Sequence, residues 1–331
     1  WAGFVTYTDE QFGRILDFLD DIGELDNTLI MVISDNGASP EGGVNGTLNE
    51  NDFFNNIVTD LKANLAAIDT LGSPDHYNHY AWGWANAGNT PFKRWKKETF
   101  RGGTSDMFVA SWPAKIKADG KWRHQYGHAI DMVPTVLDLI GIDPPESIKG
   151  VKQDPIEGVS LAATVKDADA ADVHITQYYE VLGSRSMYHN GWRAECGYPG
   201  PNYKTGKEHG RKVGDPIHAK DIEELDKMWE LYDLRKDPSQ RNNLAKQHPD
   251  KLKEMIDLWY SEAKKYNVLP LQGTVGQRVS FPRPMPGRAT DKHVYFPGAP
   301  VAALVAPNTY NRPHTITAEV HVPKGGAKGV I

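Results

Sequence analysis

Residues 28–37 read Thr-Leu-Ile-Met-Val-Ile-Ser-Asp-Asn-Gly, an apolar run of strand length that ends in a polar tetrad. Thr28–Ser34 is apolar with no alternation, the pattern of a strand covered on both faces in the middle of a parallel sheet between helices. Just before it, Phe12, Ile15, Leu16, Leu19 and Ile22 recur at helical spacing within 9–25. Gly23 supplies a stop, and Leu25-Asp26-Asn27 reads as a tight turn. Helix, short turn and buried strand make half of a βαβ unit, so the expected class is α/β.

Working outward, residues 40–90 are polar and rich in Asn and Gly, with a weak amphipathic patch at 57–68. They read as a long insertion that ends in Tyr77, Tyr80, Trp82 and Trp84. A second buried strand is expected at Met107–Pro113, closed by its proline. A helix is expected at about 129–140, ended by Gly141 and Pro144-Pro145. From about 146 the texture changes to short strands, at 174–181, 185–194 and 229–234, followed by a helix at about 250–266. That is the α+β pattern of a small antiparallel sheet with one covering helix.

The expected organisation is therefore an α/β core over 1–145, interrupted by the insertion, and a small subdomain over 146–270. A Pro/Gly-rich linker is expected over 271–313, and the alternating residues of 314–331 read as the start of an incomplete β domain. The chain opens on Trp1 and stops soon after Ala318–Val322 begins to alternate. Both ends read as cuts through ordered structure, so an internal fragment of a longer protein is expected.

Composition narrows the partners. The 331 residues carry 37 Lys+Arg against 43 Asp+Glu, a net charge of −6, with 39% hydrophobic and 24% charged residues. This mild acidity argues against nucleic acid, whose phosphates need a clustered basic face. No apolar run approaches the ~18 residues that span a bilayer. The one cysteine, Cys196, excludes an internal disulfide and a multi-cysteine zinc site.

Two features carry chemistry. Asp35 and Asn36 stand at the carboxyl end of the apolar run, where ligands bind in open α/β sheets. A carboxylate beside a carboxamide offers hard oxygen ligands that suit calcium or magnesium rather than zinc. The plain alternative is a turn, for which Asp-Asn-Gly is equally apt. The second feature is Lys96-Lys97-Glu98-Thr99-Phe100-Arg101-Gly102-Gly103. Lys96 could aim an ammonium at an anion in the same crevice, helped by backbone N–H groups around the glycines. The alternative here is a solvated basic loop, since Lys93, Arg94, Lys97 and Arg101 crowd around it.

The order of motifs resolves this. Thr8-Asp9, Gly13 to Leu19, Gly23, Asp26 to Ile30 and Ser34 to Gly37 closely resemble the middle of type I sulfatases. The resemblance runs on through Lys96, Thr99-Phe100, Gly102-Gly103, Trp112-Pro113, His128, Asp131, Pro134-Thr135 and Leu137-Asp138. It continues through Trp229, Leu231-Tyr232, Leu234, Asp237-Pro238 and Asn243-Leu244-Ala245, covering roughly residues 3–270. In detail the chain is most similar to large bacterial arylsulfatases.

The resemblance implies an alkaline-phosphatase-like fold, a large and mainly parallel sheet between helices followed by a small antiparallel sheet with one helix. It implies a calcium ion, with magnesium a lesser alternative, held partly by Asp35 and Asn36. It implies a formylglycine nucleophile and a lysine, matching Lys96, that contacts the sulfate and the leaving oxygen. The chain contains no Cys/Ser-x-Pro/Ala-x-Arg, from which formylglycine is made, and Cys196 lacks the arginine that would follow it. The nucleophile is therefore expected in an N-terminal segment outside these residues, and the fragment alone is expected to be inactive. Arg101 stands where the family usually has glutamate.

The expected partners are a small-molecule or carbohydrate sulfate ester and the missing N-terminal segment. Hydrolysis of phosphate or phosphonate esters on the same scaffold, and non-catalytic binding of a sulfated ligand, are the competing readings. Of the remaining polar and aromatic residues, His128 is expected to start a helix at the subdomain interface. His76 and His79 are expected on a solvated loop. Trp82 and Trp84 either line a binding site or pack the insertion onto the sheet.

Overall fold

The computed structural model describes residues 1–51, 60–197, 224–271, 292–295 and 313–326. It divides the chain into two compact units, Trp1–Val279 and Ser280–Ile331.

The first unit begins with helix α1, Ala2–Asp21, which starts earlier than its apolar stripe suggests. Gly23 then takes a left-handed φ of 76°, and a 3-10 turn at Leu25–Asn27 leads into strand β1, Ile30–Ile33. After the insertion, which carries helices α2 (Leu61–Ala66) and α3 (Trp82–Gly88), a single helical turn α4 (Arg101–Thr104) precedes strand β2 (Phe108–Ser111). Among the described residues the amphipathic patch at 57–68 carries α2, and 52–59 lie outside them.

Strands β1 and β2 pair antiparallel, with Ile30 opposite Ser111 and Ile33 opposite Phe108. This corrects the expectation of parallel neighbours around a fully buried strand. Among the described residues β1 and β2 pair only with each other, and Ile33 and Val109 are exposed. Helix α1 buries no residue, and Ile15, Phe18 and Ile22 are each more than half exposed. Periodicity tells which side chains share a face; it carries no information on whether a neighbour covers that face or which way that neighbour runs.

Helix α5, Met132–Ile140, follows a 3-10 turn at Ala129–Asp131 and stops at Gly141, whose φ of 73° is the left-handed cap that glycine takes most readily. A short hairpin, β3 (Ser147–Ile148) with β4 (Val151–Lys152), and helix α6 (Ala162–Lys166) lead into the second sheet. This is a four-stranded antiparallel sheet in chain order: β5 (Thr176–Val181), β6 (Ser184–His189), β7 (Trp192–Cys196) and β8 (Glu230–Asp233). Helix α7, Pro249–Lys265, covers one face.

Read as a single strand from spacing, 185–194 is in fact a hairpin. Asn190 and Gly191 have φ values of 46° and 79°, the left-handed pair of a two-residue turn, and Asn-Gly is the strongest short-range signal for it.

The two faces of this sheet differ by strict alternation. Arg185, Met187, Ala194, Cys196 and Leu231 occupy one, and Met187, Ala194, Cys196 and Leu231 form a core with Met255, Trp259 and Ala263 of α7. Arg185 is fully buried there, its guanidinium 5.4 Å from the ring centres of both Trp229 and Trp259 and ion-paired to Asp226 at 2.9 Å. It also donates to the Cys196 sulfur at 3.1 Å, and burial pushes that thiol up to about 11. Ser184, Ser186, Arg193 and Glu195 occupy the other face, all buried although polar.

In the second unit, residues 313–326 are exposed, and none of them lies in a strand. An alternating pattern becomes a strand only where another strand supplies ladder partners, and no described residue does so. Most of the expected linker, and 327–331, lie outside the described residues.

Trp259 is fully buried and its indole N–H donates to the Tyr179 carbonyl at 3.0 Å. Trp259→Ala should cost about 3–5 kcal/mol in chemical denaturation, whereas Leu65→Ala, at an exposed position, should stay within about 0.5 kcal/mol.

Candidate functional site

The antiparallel register of β1 and β2, continued two residues beyond Ile33 and Phe108, sets Asp35 opposite Asp106. Burial, and then the charge of Asp35, push the Asp106 carboxyl up to about 6. The Asn36 side-chain N–H donates to Asp35 Oδ1 at 2.5 Å, so the two side chains touch at the end of β1. Asp35 is exposed and Asn36 half-buried. Asp106 was not singled out from sequence, because only the strand register brings it to this place.

Beyond Asn36 the backbone runs against the loop that carries Lys96. The Gly37 N–H donates to the Gly103 carbonyl at 3.3 Å, and the Lys96 N–H donates to the Ala38 carbonyl at 3.1 Å. A Cβ on Gly37 would lie 1.7 Å from the Gly102 oxygen, and one on Gly102 would lie 2.1 Å from the Arg94 oxygen. Only glycine permits this approach of backbone to backbone.

The Lys96 ammonium sits 3.0 Å from Glu41 Oε2, and that of Lys97 sits 2.7 Å from Glu41 Oε1. The solvated-loop alternative is therefore set aside for these two lysines. Glu41 is buried; Ser39 Oγ donates to its Oε2 at 2.8 Å, and His79 Nε2 lies 3.2 Å from the same hydroxyl. Burial pushes the Glu41 carboxyl up, but hydrogen bonds and charge from Lys97, Ser39 and Lys96 outweigh it and hold the group at about 2.

The polar face of the second sheet holds the other side of the loop. Thr99 N–H donates to Ser184 Oγ at 3.1 Å, and Thr99 Oγ1 donates to Glu195 Oε2 at 3.2 Å. Arg193 donates to Glu195 Oε1 at 2.6 Å, to Thr104 Oγ1 at 3.1 Å and to the Thr99 carbonyl. Arg101, despite replacing the usual glutamate, is built in. Its N–H meets Gln240 Oε1 at 3.0 Å, its guanidinium donates to the Pro238 carbonyl at 2.6 Å, and it lies 4.2 Å over Phe92.

The other singled-out residues fall as follows. His128 forms a capping box with Asp131 at the start of the 3-10 turn, and its ring packs 5.4 Å from Tyr179. Burial and the neighbouring His174 carry it down to about 4. His76 Nε2 lies 2.8 Å from the Thr70 hydroxyl on the insertion. His79 departs from the solvated-loop expectation: it is half-buried against Ser39, paired in an isolated bridge with Thr47. Trp82 donates to the Pro40 carbonyl at 2.6 Å and its ring centre lies 5.7 Å from that of Trp95, while Trp84 is 65% exposed. Glu41, Glu50 and His79 bring ligand atoms within 4.8 Å of one another, but Glu41 already takes two ammoniums.

Comparison with known proteins gives the following similarities. The sulfatase family model matches residues 2–142 of this chain. The fold is similar to that of Ps i-CgsB, whose crystal structure aligns with 84% of this chain and 46% of its own, with a TM-score of 0.51 at 18% identity. Among curated relatives, an uncharacterized sulfatase of Schizosaccharomyces pombe is 28% identical over 271 residues, 78% of this chain and 42% of the relative. An N-acetylglucosamine-6-O-sulfatase of Bacteroides thetaiotaomicron is 29% identical over 269 residues, 79% of this chain and 35% of the relative. The chain thus spans less than half the length of these relatives.

Two measurements check the site's construction. Gly37→Ala should destabilise the chain by about 1–3 kcal/mol in thermal or chemical unfolding, because a backbone oxygen occupies the place of the new methyl. Glu41 binds its proton more weakly folded than unfolded, so its stabilisation is complete above its ordinary value of 4.5 and is lost as pH falls toward 2. Unfolding titrations across that window should show about 3 kcal/mol of loss that Glu41→Gln removes.

Proposed function

We propose that this chain forms one side of the active site of a sulfuric ester hydrolase, with Asp35 and Asn36 as ligands of a calcium ion and Lys96 as a catalytic residue. The observation that carries the reading is the backbone contact of Gly37 and Ala38 with Gly103 and Lys96. It brings the segment after the proposed metal ligands against the loop of the proposed sulfate-binding lysine.

The residue types suit a hard divalent cation: a carboxylate and a carboxamide stand side by side at the end of β1, and Asp106 adds a second carboxylate in the field of Asp35. Bound there, calcium would offset the negative charge of a sulfate group and draw electron density from its oxygens. Lys96 retains N–H donors beyond the one it gives Glu41. Directed at the sulfate or at the oxygen that leaves with the alcohol, they stabilise the negative charge that develops as the S–O bond breaks. The nucleophile, by this reading a formylglycine, is encoded outside these residues. The Bacteroides thetaiotaomicron relative, named for removing a 6-O-sulfate from N-acetylglucosamine, supports a carbohydrate sulfate as the substrate class.

The test uses the chain alone and joined to a formylglycine-bearing segment, assayed with an aryl sulfate and a sulfated N-acetylglucosamine. The chain alone should show no turnover. In the joined protein, Lys96→Ala should lower kcat about 100-fold or more, and Asp35→Ala should weaken calcium binding, followed by calorimetry, at least about tenfold. Turnover by the chain alone, or a Lys96→Ala loss under about threefold, would refute the assignment.

A further inference from the structure

Glu41, Lys96 and Lys97 form an arrangement that the hydrolytic reading does not require. Side chains of consecutive residues ordinarily point well apart, in helix and strand alike. Here both ammoniums reach one carboxylate, one on each oxygen, at 3.0 and 2.7 Å. The backbone makes this possible at Lys97, whose φ of 75° lies in the left-handed region that a lysine rarely enters. Strain of this kind persists where the surroundings over-determine it, and it clusters at functional sites. The surroundings here are specific. Lys96 N–H is tied to Ala38, Ser39 Oγ donates to the same Glu41 oxygen that Lys96 meets, and His79 Nε2 backs that hydroxyl.

We propose that Glu41 is a positioning residue for Lys96, its buried carboxylate dividing two adjacent ammoniums between its oxygens and fixing the Lys96 side chain beside the Asp35–Asn36 end of β1. The functional weight of this rests on the reading above, in which Lys96 meets the sulfate group. Lys96 gives Glu41 one N–H donor and keeps others for an oxyanion while it loses its freedom to swing. Positioning of this kind acts on catalysis by removing orientational freedom before the substrate arrives. The charged and titratable groups that face Glu41 are Lys96, Lys97, His79 and Glu50. The low affinity of Glu41 for its proton keeps the carboxylate charged across the working range.

The experiment is competitive acetylation of the full chain with trace acetic anhydride, read lysine by lysine by mass spectrometry, with and without inorganic sulfate. In the native wild type, Lys96 should react at least fivefold more slowly than Lys236, whose side chain is 85% exposed, and urea should abolish the difference. Glu41→Gln should speed acetylation of Lys96 about tenfold, and Glu41→Asp, which keeps the charge, should restore most of the slow rate. Sulfate should protect Lys96 in the wild type, and Glu41→Gln should raise the half-protecting concentration at least about tenfold. Equal rates at Lys96 and Lys236 in the native wild type would overturn the proposal without any variant. So would a native-like Glu41→Gln with an unchanged Lys96 rate, or a Glu41→Asp that behaves as Glu41→Gln. A rate contrast that stands while sulfate protects nothing would support Glu41 as the partner that orders Lys96 and overturn the sulfate role of Lys96.

Discussion

The fully buried ion pair between Arg193 and Glu195 is the interaction on which the rest of the first unit depends. Taking both charges out of water is costly, and their mutual attraction offsets that cost only if their remaining donors and acceptors are also satisfied. Here they are: Arg193 reaches Thr99, Thr104 and Ser186, and Glu195 receives Thr99 and Gln240. Burial still pushes the Glu195 carboxyl up to about 7 against the pull of Arg193. Since Thr99 and Thr104 flank the two glycines, the pair presses the Lys96 loop onto the sheet and so toward Gly37 and Ala38. A polar sheet face, which in isolation would be a defect, becomes the surface on which the loop is cast.

The opposite face obeys different chemistry. Met187, Ala194 and Leu231 meet Met255 and Trp259 of α7 in a core that also encloses Arg185, so one sheet is held mainly by apolar contact behind and by hydrogen bonds in front. Apolar contact tolerates repacking among residues of similar volume, whereas a buried hydrogen-bonded network tolerates the loss of no member. The Lys96 loop is thus held by the less forgiving of the two faces, as a site that needs fixed geometry requires.

Much of this was legible in sequence, and the boundary between legible and illegible has a physical cause. Helices α5 and α7, with Gly141 as a left-handed stop, follow from local spacing because capping and amphipathic periodicity act within a few residues. The Asn190-Gly191 turn is equally local; its signal lies inside a stretch that otherwise reads as one strand. What spacing could not supply was long-range pairing. The antiparallel register that sets Asp106 opposite Asp35, the reach of Glu41 to Lys96, and the anchoring of Thr99 by Glu195 join residues that are distant in the chain. Asp35, Asn36 and Lys96 stand out locally by their place beside buried strands, and the resemblance to a family's motif order is what implies their roles. The structure brings the segments that bear them together, and their chemical roles remain those proposed above.

Cys196 has a consequence of its own. It is the one cysteine in the chain, fully enclosed between β7 and the covering helix, with the Arg185 guanidinium against its sulfur. Burial leaves its thiolate scarce, so alkylating reagents and oxidants meet almost no reactive sulfur while the sheet is closed. Modification of the thiol then becomes a clock for opening of the subdomain: its rate follows the fraction of time that α7 is lifted from the sheet, and one sulfur gives one unambiguous trace. The same helix closes the apolar back of the sheet whose front holds Arg193 and Glu195. A thiol reagent would therefore time, from behind, how long the platform under the Lys96 loop stays whole.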